Sequence, residues 1–242
     1  MNRPLMLGIG AAAIGLAAAS SSASFTANYL GYGEFESHGI GYSTALAWNS
    51  NAAVSMFNLK LAEHKWDVQG ETVYTWCAQV YQGVTAGSSY IYTAVALELA
   101  PQTPPAPGPM GATKALLLRD AMSRWLGADG RVIGLAGSAP ASSAAFCALA
   151  WEIIHENLGT HEADIARTRI SATAGAFRAG LTGEAATIFA TMVASLGQGG
   201  YQSVDAEGWN SPTAQDQFRV VPAPGPLALL AVAGFAGRRR KR

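Results

Sequence analysis

The sequence predicts an α+β domain: an antiparallel β-sheet or sandwich half, then a helical half, then a closing strand. Three observations carry this. Two alternating runs and one aromatic-rich run lie within residues 54–99. Five prolines crowd residues 101–109. Beyond them the apolar spacing changes from period two to helical period.

Residues 25–48 are rich in Gly, Tyr and Ser, and Gly31, Gly33, Gly39 and Gly41 punctuate them into expected short strands and turns. Residues 54–66 alternate in part, through Phe57, Leu59, Leu61 and His64. Gln69-Gly70 suits a turn. Residues 72–81 alternate clearly: Tyr74, Trp76, Ala78 and Val80 share one face, and Val73, Thr75, Cys77 and Gln79 the other. These two runs predict an antiparallel hairpin. Residues 88–99 predict a further strand, because aromatic and β-branched side chains suit a pleated, half-buried surface.

Pro101, Pro104, Pro105, Pro107 and Pro109 exclude a helix or a central strand, so this segment reads as the extended connection between the halves. In residues 113–126, Leu118, Ala121, Met122, Trp125 and Leu126 keep helical spacing, and Gly127 is a natural stop. Residues 128–139 read as a loop. The strongest helix starts near Pro140, a favoured first-turn residue, and runs to about Asn157. Residues 164–174 fit strand or loop. A third helix spans 181–196, with Thr182 as N-cap and Gly197 as stop. Residues 201–220 are rich in turn formers and end on an expected strand at 217–221. No internal repeat is visible.

Half of the 242 residues are hydrophobic and 13% are charged, which supports a sizeable core and argues against disorder. The formal net charge is zero, but Arg3 and the last five residues contribute six of the sixteen cations. The rest of the chain is therefore acidic, near −6. An acidic body without a basic patch excludes nucleic acid as the expected partner.

The first 24 residues read as a secretory signal: Arg3 supplies a positive start, residues 5–19 an apolar stretch, and small residues follow. The domain is expected over 25–220. At the other end, Val221-Pro222-Ala223-Pro224-Gly225 precedes an apolar run at 227–236, and Arg238-Arg239-Arg240-Lys241-Arg242 closes the chain. The run is short for a free-standing span, and the cations would hold its end on the cytoplasmic side during export. This layout resembles the PEP-CTERM sorting signal of Gram-negative envelope proteins, with Ala223 where the name-giving motif has Glu. The resemblance implies an exosortase-type processing enzyme as partner, transient membrane insertion of the C-terminal segment, and a location at the cell envelope, cell surface or extracellular matrix.

Only two cysteines occur, Cys77 and Cys147. In an exported chain such a pair predicts a disulfide, because the compartments outside the cytoplasm are oxidising. Closing a loop of about 70 residues would stabilise by roughly 4 kcal/mol in the chain-entropy description. The alternative is two separate buried thiols.

Thr75-Trp76-Cys77-Ala78 resembles the strand that presents the reactive cysteine in thioester domains of bacterial surface proteins. Ala145-Phe146-Cys147-Ala148-Leu149-Ala150-Trp151-Glu152-Ile153 resembles their helix motif, close to Ala-Phe-Gln-Leu-Ala-Ile-Trp-Glu-Ile. Gln215-Asp216-Gln217-Phe218 resembles their closing segment. In that family the cysteine and glutamine join as an internal thioester that captures amines. Here Cys147 stands at the glutamine position and brings no acyl group. The resemblance therefore implies a structural or adhesive, non-catalytic surface protein, with Cys77 and Cys147 side by side and bridged at the degenerate thioester position. Exopolysaccharide or other envelope components are the expected partners. Two alternatives stay open: covalent capture by Cys77 with Gln79 or Gln82 as acyl donor, and a carbohydrate-binding module using Tyr and Trp of the strands.

Other chemistries fit less well. Cys147 and His155 lie two helical turns apart, about 12 Å along the axis, too far for a nucleophile and its base. His38, His64, His155 and His161 match no ligand spacing, and Glu152, Glu156 and Glu162 read as a solvated acidic surface. No metal, cofactor or enzymatic activity is expected.

Overall fold

The computed structural model describes residues 24–42, 54–103, 107–133, 137–158 and 161–222. The predicted signal peptide before Ser24, and the sorting motif from Ala223 through Pro224, Gly225 and Arg238–Arg240, lie outside the described residues. Val221 and Pro222 lie inside, and the Val221 amide donates to Asp205 O at 2.8 Å. Val221, the first residue of the expected sorting motif, is thus docked on the domain itself.

The fold is α+β, with a seven-stranded antiparallel sheet and four α-helices among the described residues. β1 is Ser24–Tyr42, β2 Val54–Val68, β3 Glu71–Cys77 and β4 Ser89–Ala96. A short 3-10 turn follows at Leu97–Leu99. Next come α1 (Gly111–Trp125), α2 (Ala139–His155), α3 (Ala163–Arg167), β5 (Phe177–Ala179) and α4 (Gly183–Ser195). β6 (Ala206–Asn210) and β7 (Gln217–Val220) close the chain.

The strand order is β2-β3-β7-β6-β4-β1-β5, and β2 also pairs with β1. Six strands therefore close into a small barrel, with β5 added on the far part of β1. Each of those six strands has a paired neighbour on both sides, and side chains fill the interior. The expected antiparallel sheet is present, and it closes on itself into this barrel. The physical reason is β1. Its nineteen residues pair with β2 along one edge, and with β4 and then β5 along the other.

β1 also corrects the expected series of short strands and turns. Its glycines are absorbed as irregularities within one strand, with register shifts at Tyr29/Gly31, Tyr32/Phe35 and His38/Ile40. Gly31 has φ 123°, a conformation that favours glycine. At Gly33 a Cβ would collide with the Glu63 carboxyl group, so that backbone must stay bare.

The β2–β3 hairpin forms as expected. Its turn is Gln69-Gly70, both with positive φ (56° and 87°), which matches the right-handed twist of the flanking strands. β3 stops at Cys77, earlier than its alternation suggested. β5 and β6 were not legible as strands, and α3 occupies part of the stretch left between strand and loop.

Two cores result. The barrel lumen holds Ala27, Tyr29, Trp66, Tyr92, Trp209 and Ala214. The larger core lies outside the barrel, around α2. Ser138 caps α2, accepting from the Ala141 amide at 3.4 Å, and Pro140 sits in the first turn. All residues from Ala141 to His155 are buried, so α2 is covered on every side.

Candidate functional site at the mouth of the barrel

Cys77 ends β3 and faces the end of the barrel. Its neighbours fix it from three directions. The Trp151 indole of α2 donates to Cys77 O at 2.7 Å. The Ala78 amide donates to Asp216 O at 2.8 Å, and Cys77 pairs with Gln217 of β7. The Cys77 thiol donates to Gln79 O at 3.3 Å. Burial, together with the nearby Cys147, pushes this thiol well above the usual range.

Cys147 lies on α2 one turn before Trp151 and is 1% exposed. The backbone of Ala62 hydrogen-bonds its sulfur, and burial pushes the thiol up to about 12. The register Glu63↔Trp76, carried one residue further, sets Ala62 opposite Cys77. The two cysteines therefore occupy one neighbourhood, as the motif comparison implied.

They are not bonded. Cys77 and Cys147 are free, buried thiols, which corrects the expected disulfide. Each sulfur has its own polar neighbour, and helix meets strand through the Trp151 indole rather than through sulfur.

Cys77 and Trp151 line a cavity of about 280 Å³ at the barrel mouth, with Tyr32, His64, Tyr81 and Gln82. Gln215 lines it too, and Lys60 sits at its rim. Hydrogen bonds run from the lumen to this cavity. Trp66 Nε1 donates to Thr75 Oγ1 (2.8 Å), and Thr75 Oγ1 donates to Gln217 Oε1 (2.9 Å). Gln217 Nε2 donates to Gln215 O (3.0 Å), and Gln215 Nε2 donates to Gln79 O (2.7 Å). Gln79 Nε2 donates to Gln82 Oε1. Between the two glutamines, Asp216 accepts from the Ser211 and Gln102 amides, both at 2.7 Å. Burial pushes its carboxyl up to about 6.

His64 is 4% exposed, and its Nδ1 has no hydrogen-bond partner. Burial pushes it down to about 3, so the imidazole is neutral at neutral pH. The Tyr81 hydroxyl is likewise without a partner. Sequence reasoning singled out Cys77, Gln79, Gln82 and the Gln215-Asp216-Gln217 segment, and the structure gathers all of them here. It missed Tyr32 and Tyr81 and weighed His64 only as a metal ligand. The legible signal was a polar residue repeated on an otherwise apolar face: His64, Thr75, Gln79 and Gln217.

The last turn of α2 is also corrected. Glu152, His155 and Glu156 are fully buried, not a solvated acidic surface. Glu152 Oε1 accepts from the Ser171 amide and Glu156 Oε1 from the Phe177 amide, both at 2.8 Å. Lys114 Nζ donates to Ile154 O at 2.7 Å. The two carboxylates hold the 171–177 loop onto the helix, and Lys114 ties α1 to it. Burial pushes both carboxyls up and the imidazole down to about 3. The four histidines are scattered: His38 contacts Glu36 at 3.0 Å, and His64 and His155 are buried in different cores.

The fold and site define a small antiparallel barrel with a helical layer and a polar, aromatic mouth. Compared with protein-family models, curated proteins and solved structures, the chain gives no match.

Proposed function

We propose that this chain is an exported cell-surface or extracellular-matrix protein with a structural or adhesive role and no catalytic step. An exosortase-type enzyme sorts it through the signal at 221–242. The observation that supports this best is the Trp151–Cys77 contact. It brings together the two motifs that resemble a thioester site, in a chain whose glutamine position is Cys147. A protonated buried thiol is a weak nucleophile, and Cys147 carries no acyl group. What remains is a rigid surface module.

The test is expression of the full chain in a Gram-negative host with an exosortase system. Expected are loss of both termini by mass spectrometry and recovery of the protein in the envelope or matrix fraction. An unprocessed protein retained in the cytoplasm overturns the reading.

One observation favours covalent capture as a second reading: Cys77 and Gln82 line the same cavity. A Cys77–Gln82 thioester would form as the thiol sulfur replaces the amide nitrogen and ammonia leaves. Intact mass decides this. A chain lighter by one ammonia, restored by added amine, favours capture; an undiminished mass removes it.

A further inference from the structure

We propose that the cavity at the barrel mouth is a saccharide site that takes one pyranose ring, from which the polymer continues past Met56 along β1 and β2. This deepens the adhesive reading by naming what is held, and it rests on that reading for the source of the ligand.

Three observations point to this chemistry. The first is the polar inventory. His64 Nδ1 and the Tyr81 hydroxyl are buried without partners, and leaving a buried polar group unmatched is costly. Both residues line the cavity, together with the amides of Gln82 and Gln215. Imidazole, phenol and amide can each donate or accept, as the hydroxyls of a sugar do.

The second is charge. Among the described residues the cavity wall carries no carboxylate, and its one cation, Lys60, is an exposed residue at the rim. A phosphate or a metal ion would enter without a buried countercharge, which is costly. Lys60 Nζ lies 4.6 Å from the ring centres of both Tyr32 and Phe35. There it can meet a carboxylate carried on a sugar ring without entering the cavity.

The third is shape. The rings of Tyr32, Tyr81 and Trp151 supply flat walls for the apolar face of a pyranose. At about 280 Å³ the space lies just below the usual range for drug-sized ligands, about 300–1,000 Å³, and suits one ring. Met56 also lines a second hollow of about 410 Å³, with Gly39, Gly41 and Gly180 in its walls. Phe57, 82% exposed, stands beside it. Two hollows sharing Met56 offer consecutive subsites to a chain. Mouths of barrels are a common place for such sites.

The test is a titration of the isotope-labelled processed protein with tetrasaccharides of glucose, mannose and glucuronic acid, following the Trp151 indole N–H by NMR. Expected is a saturable shift with at least one sugar, with Kd about 1 mM or tighter. Tyr32→Ala, at an exposed ring, should weaken binding about tenfold, or about 1.4 kcal/mol, while the remaining spectrum stays unchanged. Lys60→Ala separates the sources: weaker binding of the glucuronic acid chain alone assigns an acidic polysaccharide, and unchanged binding of all three sugars assigns a neutral one. No saturable shift with any of the three, or wild-type affinity in Tyr32→Ala, overturns the site. If matrix retention persists while sugar binding is absent, this proposal fails and the adhesive reading stands. Intact sugar binding without matrix retention overturns the adhesive reading instead.

Discussion

The barrel lumen and the layer around α2 are both buried, and they are filled on opposite plans. The lumen is built from a few large rings in edge-to-face contact. Trp66 meets Tyr92 at 5.3 Å and 85°, and Phe25 meets Trp209 at 4.8 Å and 73°. Trp66 Nε1 reaches Thr75, and the Tyr92 hydroxyl donates to Gln215 O at 3.0 Å. The α2 layer is built from small residues. Ala141, Ala144, Ala145, Ala148 and Ala150 let strands and helices approach the helix from every side. The lesson is that the lumen depends on retained volume and matched polar atoms, whereas the helix depends on the absence of volume.

The largest effect should come from emptying the lumen. Trp66→Ala is expected to cost about 3–5 kcal/mol by urea denaturation, because the ring is lost and Thr75 loses a donor. A cost under 1 kcal/mol would mean that the lumen collapses freely and the contrast is wrong. Next is Thr75→Val, which leaves Trp66 Nε1 and Gln217 Oε1 unmatched at nearly constant volume. About 1–3 kcal/mol is expected. The matching test of the helical layer adds atoms instead. Ala145→Leu should cost about 1–3 kcal/mol by overpacking, and a stabilised variant would show that the layer has room.

Acid and base should sharpen the contrast with opposite signs. His64 in the barrel has its pKa lowered from 6.5 to about 3, so the unfolded chain takes up the proton first. Its contribution is complete above pH 6.5 and is lost as the pH falls towards 3. Glu152 beside α2 is raised well above 4.5, so the unfolded chain ionises first. Its contribution is complete below pH 4.5 and is lost as the pH rises. Thermal melts across this range should show a flatter acid limb in His64→Gln and a flatter neutral limb in Glu152→Gln. Unchanged slopes in both variants would remove the two groups from the pH dependence.

The smallest effect concerns the cysteines. With free thiols, reductant should leave the melting temperature unchanged. A fall of several degrees on reduction would reveal a bridge between Cys77 and Cys147.

Much of the candidate site was legible because its parts fall in strongly periodic segments. Cys77 lies on an alternating strand, and Cys147 and Trp151 lie on an apolar helix. Their meeting through Trp151 Nε1 and Cys77 O depends on a helix and a strand distant in sequence. The state of the two sulfurs depends on positions that no spacing reports. His64 looked like an isolated ligand candidate. Its place in the barrel mouth follows from β1 folding back along β2.

By itself the sequence determined the local elements: the β2–β3 hairpin and its Gln69-Gly70 turn, the three long helices, and the order of strands before helices. Each is specified by neighbours a few residues away, through side-chain period, capping and turn conformation. Only the tertiary structure decided that β1 is one strand rather than several. It also decided that the sheet closes on itself, that the acidic end of α2 is buried, and that the two cysteines are unbonded. Those outcomes depend on pairing and burial between distant segments, where packing overrides local preference.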